Sequence, residues 1–199
     1  MTAATTPKER VLAAALQEFA EHGVAGARID RIAKAARTSK ERVYAYFRSK
    51  EELHAAVATD QLQQVMDSTS LDPADIPGYV GALFDFYVAH PEMLRLVGWG
   101  RLEPGGELTA ADASGHRSLE AKLAVIEQGQ ADGLLDEAFE PIDVLMLLVN
   151  LSMGWLMAVE MHRFEDVDDP DVLARRRAAA VLAAERLFPP RPTRSTSTG

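Results

Sequence analysis

Residues 28–47 have the sequence RIDRIAKAARTSKERVYAYF, and RSKEEL follows at residues 48–53. Two short helical patterns lie in this stretch, and a tight polar turn joins them. In the second pattern Val43 and Phe47 stand four residues apart, so both can pack on one side while polar and aromatic side chains face outward. This layout is typical of a helix-turn-helix, which places its second helix in the DNA major groove. We therefore expect a DNA-reading segment at about residues 28–47.

The outward side of the second helix carries the chemistry that DNA contacts require. Lysine and arginine neutralise phosphates and release their counterions, and arginine can also bind the guanine edge with two hydrogen bonds. A tyrosine hydroxyl can donate to a phosphate while its ring packs on the sugar. The side chains expected to face outward or to lie at the rim are Ser39, Lys40, Arg42, Tyr44 and Tyr46.

Several residues of this stretch have a second interpretation. Glu41 either closes a capping box with Thr38 or accepts a hydrogen bond from cytosine. Tyr44 is either a DNA contact or a core aromatic residue, and Arg37 is either a contact or an ordinary solvated charge. Lys50 begins a helix, where a cation opposes the helix dipole, and this favours a phosphate contact.

Charge is distributed unevenly along the chain. The whole protein of 199 residues has a formal net charge of −9, which argues against nucleic acid if taken alone. Residues 1–50 hold ten lysines and arginines and five acids, which gives a net charge of +5. The remainder of the chain holds eleven lysines and arginines and 25 acids, which gives a net charge of −14. The asymmetry predicts a basic head for a polyanion and an acidic body that DNA would repel.

Composition and motifs argue against several other classes. Cysteine is absent, so no disulfide or thiolate metal site is expected. The longest uncharged run, residues 144–159, falls short of the roughly 20 apolar residues of a membrane span, and the amino terminus lacks a secretory signal pattern. The five histidines are scattered, and no phosphate loop, zinc-protease motif or nucleophile elbow occurs. We expect a cytoplasmic protein without membrane partner, catalytic residue, metal or cofactor.

Almost every segment has a helical pattern, and no alternating strand pattern occurs, so the sequence predicts an all-α fold. A capping box at Thr6 starts the first helix, which Gly23 ends. Later helices are expected at about residues 110–131, 141–162 and 170–187. The predicted division is a DNA-binding domain at residues 1–50, a helical body at 51–188, and a disordered, proline-rich tail at 189–199.

Residues 8–58 resemble the tetracycline-repressor-like (TetR) family of transcription regulators. The resemblance rests on an ordered run of signals: Ala14-Ala15 and Phe19, Glu21-His22-Gly23, Ile32-Ala33, Thr38-Ser39-Lys40, Val43 to Phe47, and Ser49 to Leu53. It implies three helices for DNA followed by a helical ligand-binding and dimerisation domain. It also implies a homodimer that grips a near-palindromic operator on double-stranded DNA and is released by a small-molecule effector.

The same resemblance implies roles for single residues. Arg28, Ser39, Tyr46 and Lys50 match positions that contact phosphates, while Lys40, Arg42 and Tyr44 match positions at the bases or their rim; Thr38 completes the expected DNA-binding set. Three residues depart from the pattern. Arg37 and Glu41 stand where the family often has glycine, and Arg28 replaces a capping Thr or Ser. A positive φ at Arg37 would be strained.

The body offers a candidate pocket and a candidate interface. The helix at 141–162 is apolar on two faces, which indicates burial on both sides. One face, with aromatic residues from 84–99, would line an apolar pocket, and the other would meet a partner subunit together with the small residues of the last helix. Asn150 either makes a structural hydrogen bond or contacts the ligand. The pocket set is Phe84, Tyr87, Trp99, Met146, Asn150, Met153 and Met157; the interface set is Leu151, Trp155, Val159, Ala180 and Ala184.

A ligand-released transcriptional repressor is thus the leading hypothesis. The alternatives are a helical small-molecule-binding or adaptor protein without specific DNA binding, and a DNA-binding activator that lacks a ligand. No sequence feature supports an enzyme.

Overall fold

A computed structural model of the protein describes residues 6–102, 113–158, 166 and 169–189. These residues form nine α-helices and no strand, which confirms the predicted all-α fold. The helices are α1 (Pro7–Gly26), α2 (Ile29–Ala35), α3 (Lys40–Tyr46), α4 (Lys50–Ser68), α5 (Ile76–Ala89), α6 (Pro91–Leu102), α7 (Ala113–Ala131), α8 (Pro141–Met157) and α9 (Pro170–Leu187).

The chain divides into two compact units. The first comprises Met1–Gln64 and His90–His116, and the second comprises Val65–Ala89 and Arg117–Gly199. This division differs from the expected one at residue 50, because α6 packs against α1 and most of α4 belongs to the first unit. A helix distant in sequence is therefore part of the same unit as the helix-turn-helix.

The first unit begins as the sequence predicts. The Thr6 hydroxyl accepts from the backbone N–H of Glu9, and the Glu9 carboxylate accepts from the backbone N–H of Thr6, so both halves of the capping box are present. The apolar side of α1 is buried as far along the helix as Phe19. Gly23 ends the regular helix as predicted, because its φ of 67° and ψ of 178° are not helical, and helical turns resume after this kink as far as Gly26. Glycine adopts this backbone conformation without steric cost.

The core of the first unit joins α1 to the helix-turn-helix. Phe19 and Ile32 are fully buried, and Val43 is 1% exposed. Side chains of α4 and α6 reach the same core, among them Leu53 and Leu96, which are also fully buried. The apolar positions of α2 and α3 therefore point inward, and these two short helices gain their stability from packing rather than from length.

In the second unit, α5 packs against both α8 and α9. Burial raises the pKa of Tyr79 and of Tyr87 on α5 to about 12 each. The Lys122 ammonium of α7 donates to the carbonyl of Thr69 at 2.7 Å and lies 4.8 Å from the Tyr79 ring centre. Burial lowers the pKa of this lysine.

Some predicted helix ends are wrong. The helix α8 ends at Met157, not near residue 162, because Ala158 leaves helical geometry at φ −85° and ψ 67°. The predicted start of α7 near residue 110 lies outside the described residues, of which Ala113 is the first in this helix. Of the expected tail at residues 189–199, only Pro189 lies within the described residues. No helix in the described ranges is long and apolar enough to cross a membrane, and the same residues contain no cluster of His, Asp and Glu suited to a metal ion.

Candidate nucleic-acid interface

The second helix of the predicted motif presents the expected side chains to solvent. Val43 and the following Phe47, which is 4% exposed, anchor α3 to the core. The opposite side and its rims are exposed, with Tyr44 at 44% and Tyr46 at 37%. The core alternative for Tyr44 is therefore wrong. We call this surface the reading face; it consists of Ser39, Lys40, Arg42, Tyr44 and Tyr46, all of which are exposed.

A left-handed residue forms the turn between α2 and α3. Arg37 has a φ of 53°, the positive value that its alignment with a common glycine position suggested. The backbone N–H of Arg37 donates to the Lys34 carbonyl, and that of Thr38 donates to the Ala33 carbonyl. These two hydrogen bonds form a Schellman motif, which normally places glycine where Arg37 stands.

The amino end of α3 is capped by Ser39, not by Thr38. The Ser39 hydroxyl accepts from the backbone N–H of Arg42 at 3.3 Å. The expected capping box between Thr38 and Glu41 is therefore wrong by one residue. The Glu41 carboxylate instead accepts from its own backbone N–H and from the Ser39 hydroxyl, which lowers the pKa of Glu41. Thr38 is partly buried and its backbone N–H is used in the turn.

Lys40 is held by an ion pair on the surface. Its ammonium lies 3.1 Å from a carboxylate oxygen of Asp30, in the first turn of α2. The hydrogen bond to Asp30, more than the charge of that carboxylate, raises the pKa of Lys40. Both side chains are well exposed, at 46% and 73%, so the pair contributes little to stability. The sequence analysis did not anticipate this partner.

Lys50 also has a structural role that the sequence analysis missed. Its ammonium donates to the carbonyls of Ala25 and Ala27, at 3.3 and 3.4 Å. These carbonyls lie where α1 ends, so the lysine satisfies backbone acceptors that α1 leaves without helical partners. A lysine at the start of α4 is thus explained by the end of α1, and a phosphate contact is not needed to account for it.

The buried carboxylate of Glu18 joins α1 to α2. It accepts from the backbone N–H of Arg28 at 2.8 Å and from the Arg31 guanidinium at 2.6 and 2.7 Å. Burial acts to raise the pKa of Glu18, but the Arg31 and Arg28 hydrogen bonds and the Arg31 charge together lower it. Arg28 makes no side-chain cap on α2, as its replacement of Thr or Ser implied. A lone Glu on the apolar side of α1 was the signal for this link.

Three arginines of residues 1–50 are exposed and have no described partner. Within the part of the chain that the structure describes, the guanidinium groups of Arg28, Arg37 and Arg42 have no hydrogen-bond or ion-pair partner. Arg42 is exposed on the reading face and directly precedes the buried Val43. Because their donors are unused, these three side chains are available to an external anion or base edge.

The structure does not bring the predicted pocket residues together in one described site. Phe84 and Tyr87 on α5 and Met153 on α8 are buried in the second unit, and Met157 is partly buried. Met146 is 51% exposed. Asn150 is also exposed, and its amide donates to the Met146 carbonyl, which is a structural hydrogen bond within α8.

The last predicted pocket residue, Trp99, belongs to the first unit. Its indole N–H donates to the Ala20 carbonyl of α1 at 3.2 Å. The aromatic residues of α5 and α6 therefore belong to different units, which their proximity in sequence did not reveal.

The predicted interface residues are only partly exposed. Leu151, Trp155 and Ala180 are of intermediate exposure, and Val159 lies outside the described residues. Ala184 is fully buried within its own unit, so it cannot meet a partner, and its assignment is wrong. The outward surface of α8 instead carries Met146 and Asn150, which the sequence analysis placed in the pocket. When a helix is apolar on all sides, its sequence does not show which side packs against the rest of its own unit.

Comparison with known proteins agrees with this geometry. Residues 11–57 match the family model for bacterial regulatory proteins of the tetR family, and residues 75–186 match the model for a tetracyclin repressor-like C-terminal domain. The chain is 39% identical to the HTH-type transcriptional repressor SCO4008 of Streptomyces coelicolor, over 78% of this chain and 81% of that protein. It is 31% identical to the HTH-type transcriptional repressor NicS of Pseudomonas putida, over 64% of this chain and 65% of that protein.

A solved structure agrees over nearly the whole chain. SCO4942 of Streptomyces coelicolor, described as a transcriptional regulator, is 47% identical, with a TM-score of 0.80 over 94% of this chain and all of that chain. The matched regions include the reading face and most of the helical body. The chain therefore belongs to the TetR family of bacterial regulatory proteins and is a DNA-binding, helix-turn-helix regulator of transcription, not an enzyme.

Proposed function

We propose that this protein is a homodimeric repressor that binds a near-palindromic operator and leaves it when a small apolar or amphipathic effector binds. The observation that carries the proposal is the reading face, where Lys40, Arg42 and two tyrosines on the same short helix are all exposed. Repression is favoured because two relatives of this chain bear the name of transcriptional repressors. A regulator of this kind acts at the chromosome, in the cytoplasm.

The reading face divides into a base reader and phosphate anchors. Arg42 is exposed, and its guanidinium has no partner among the described residues, so it is the residue for a guanine edge. Arg28, Ser39 and Tyr46 are exposed as well and are the phosphate contacts. Lys40 and Tyr44 lie at the rim, and Lys40 exchanges Asp30 for DNA. Thr38 contacts DNA less directly, since it is partly buried.

Lys50 can contact DNA while it continues to support α1. An ammonium has three donors, and two of them point to the carbonyls of Ala25 and Ala27. The third donor remains for a phosphate. Lys50 therefore both anchors the DNA backbone and holds the end of α1 that faces it.

The dimer surface is the outward side of α8 and α9. Ile142 and Met146 of α8 are 43% and 51% exposed, and Leu182 of α9 is 45% exposed. Ala178 and Ala179 beside Leu182 are exposed as well, and a side chain added at Gly154 would meet open space. Apolar and small residues left uncovered on two neighbouring helices suit a four-helix contact with a second copy.

The effector site belongs to the helical body. Its aromatic and methionine side chains, among them Phe84, Tyr87 and Met153, give the second unit an apolar interior. Ligand pockets are mostly apolar with a few polar groups, which suits a small apolar or amphipathic effector. Binding there shifts the operator equilibrium only if the effector prefers the released state.

The proposal is tested by selecting bound sequences from random duplex DNA. We expect one motif with two related half-sites about one or two helical turns apart, because a two-fold dimer presents two reading helices. A selection that returns no common motif would contradict the repressor. A regulator that binds the motif but increases transcription from it would contradict repression and support the activator.

A further inference from the structure

The first unit contains a groove between the last part of α1 and α6. Its volume is about 330 Å³, and the residues that line it are Ala20, Glu21, Arg95, Gly98, Trp99 and Leu102. All of them belong to the same compact unit as the reading face. The groove is open to solvent on one side, and its volume compares with that of about eleven water molecules in the liquid, at roughly 30 Å³ each, so it suits a small molecule that rests on the surface.

The groove is mostly apolar. Leu102 is 77% exposed, the highest value among the large apolar side chains that the structure describes. The Trp99 ring is partly exposed, and its indole N–H is already used by the Ala20 carbonyl, so the ring offers the ligand an apolar surface. Gly98 lacks a side chain and leaves space beside the ring. Exposed apolar surface of this kind favours an aliphatic or aromatic ligand body.

The charges of the groove favour an anionic headgroup. Arg95 is exposed, and no hydrogen bond or ion pair engages its guanidinium among the described residues. The Glu21 carboxylate, the acid of the same groove, lies 3.9 Å from the His22 ring and within electrostatic range of Arg31. The Arg95 guanidinium is left without a hydrogen bond or ion pair among the described residues, and guanidinium groups bind carboxylates with two parallel hydrogen bonds.

We propose that this groove is a binding site for a small amphipathic carboxylate, with the apolar part on Trp99 and Leu102 and the carboxylate on Arg95. The site lies where the indole of α6 donates to α1, and α1 packs against α2 of the helix-turn-helix. A ligand there stiffens or shifts the contact between α1 and α6. Its effect on operator binding rests on the proposed function, whereas the binding itself does not.

The test uses octanoate, which has ten heavy atoms, and protein labelled with 5-fluorotryptophan. The chain has two tryptophans, so two fluorine signals are expected, and Trp155→Phe identifies the signal of Trp99. Octanoate should shift the Trp99 signal saturably and leave the Trp155 signal in place. Octan-1-ol, which has the same tail without the charge, should bind roughly tenfold more weakly. Acetate, at the concentration used for octanoate, should give no shift.

Variants of the groove separate this site from any other. Arg95→Gln should weaken octanoate at least fivefold, and Glu21→Gln should tighten it slightly because a nearby negative charge is removed. Gly98→Leu should abolish the shift by filling the groove, while the leucine is well tolerated in a helix. The control Arg117→Gln removes one exposed cation of the second unit and should change nothing.

Three results would overturn the site. The first is an octanoate shift that survives in Gly98→Leu, the second is an equal shift with octan-1-ol at the same concentration, and the third is the absence of any Trp99 shift. Operator affinity is measured separately without octanoate. If the protein binds its operator but not octanoate, only the proposed carboxylate site is contradicted. If it binds octanoate but no DNA, only the proposed repressor function is contradicted.

Discussion

At the scale of single residues, Arg37 shows how the turn of the helix-turn-helix stores strain. Its φ of 53° lies in the left-handed region, where an L-residue with a Cβ is disfavoured. The Schellman hydrogen bonds around it fix that conformation, and the side chain has no described partner that would offset the cost. We infer that arginine is kept here for its charge beside DNA rather than for the fold.

Arg37→Gly should therefore stabilise the protein and weaken its DNA binding. Removing left-handed strain contributes about 1–2 kcal/mol, and the added freedom of the unfolded chain takes back about 0.4–1 kcal/mol. The net gain of about 0.5–1 kcal/mol would appear in urea unfolding, monitored by circular dichroism. A loss of stability would show that the guanidinium has a structural partner. Arg37→Val, which is β-branched, is the matched control and should destabilise.

Glu18 makes the stability of the protein depend on pH. Its folded-state pKa is lowered from the ordinary 4.5, so the carboxylate stabilises the fold fully above the unfolded pKa and loses this effect as the pH falls through the folded pKa. Glu18→Gln keeps the oxygen that accepts from Arg28 but removes the charge that holds Arg31. We expect a loss of about 1–2 kcal/mol at pH 7, discounted because Arg31 is partly exposed.

This loss should begin to shrink as the pH falls below about 4.5 and should disappear only below the lower folded-state pKa of Glu18, where the native carboxylate is protonated as well. Unfolding curves of both proteins at several pH values measure the difference. A difference that stays constant from pH 7 down to pH 3 would show that the charge of Glu18 does not contribute.

At the scale of elements, the cap of α3 decides where the recognition helix begins. Ser39→Ala removes the acceptor for the Arg42 backbone N–H and should cost about 1 kcal/mol. Thr38→Ala leaves every cap hydrogen bond in place and should cost less than about 0.5 kcal/mol. Thermal unfolding of the two variants compares them directly. Equal losses would contradict the assignment of the cap to Ser39.

The elements also show what the sequence could predict. The Val43–Phe47 spacing and the capping patterns were sufficient for α1, α2, α3 and α4, because local periodicity and caps determine short helices. The contact between α6 and α1 was missed, since it joins residues about eighty positions apart. The partners of Lys40 and Lys50 were missed for the same reason, because no local pattern reveals a carbonyl or carboxylate on another helix.

The candidate sites of the body were predicted less well than the reading face. On α3, burial of Val43 fixes which side chains face outward, so the motif determines its own surface. On α8 nearly every position is apolar, and the sequence therefore assigned Met146 to a pocket although it lies outward. Periodicity identifies a surface only where one side of a helix is polar.

At the scale of the whole molecule, the proposed dimer turns one reading face into two. Met146→Glu places a charge in the apolar surface of α8 and should convert the dimer to a monomer, because an unpaired charge cannot be buried there. Light scattering after size exclusion measures the mass. Val125→Glu, on an exposed position of α7, is the control and should remain a dimer. A dimeric Met146→Glu would contradict the proposed interface.

The most direct test of the account is the operator affinity of Arg42→Ala. Fluorescence anisotropy would compare the selected operator with a scrambled duplex at several salt concentrations, for this variant, the wild type and Arg117→Ala. We expect Arg42→Ala to weaken the binding free energy by about 1–3 kcal/mol for the operator and by much less for the scrambled duplex. Arg117→Ala should bind both duplexes as the wild type does. Equal losses on both duplexes, or no loss, would contradict the claim that α3 reads DNA through Arg42.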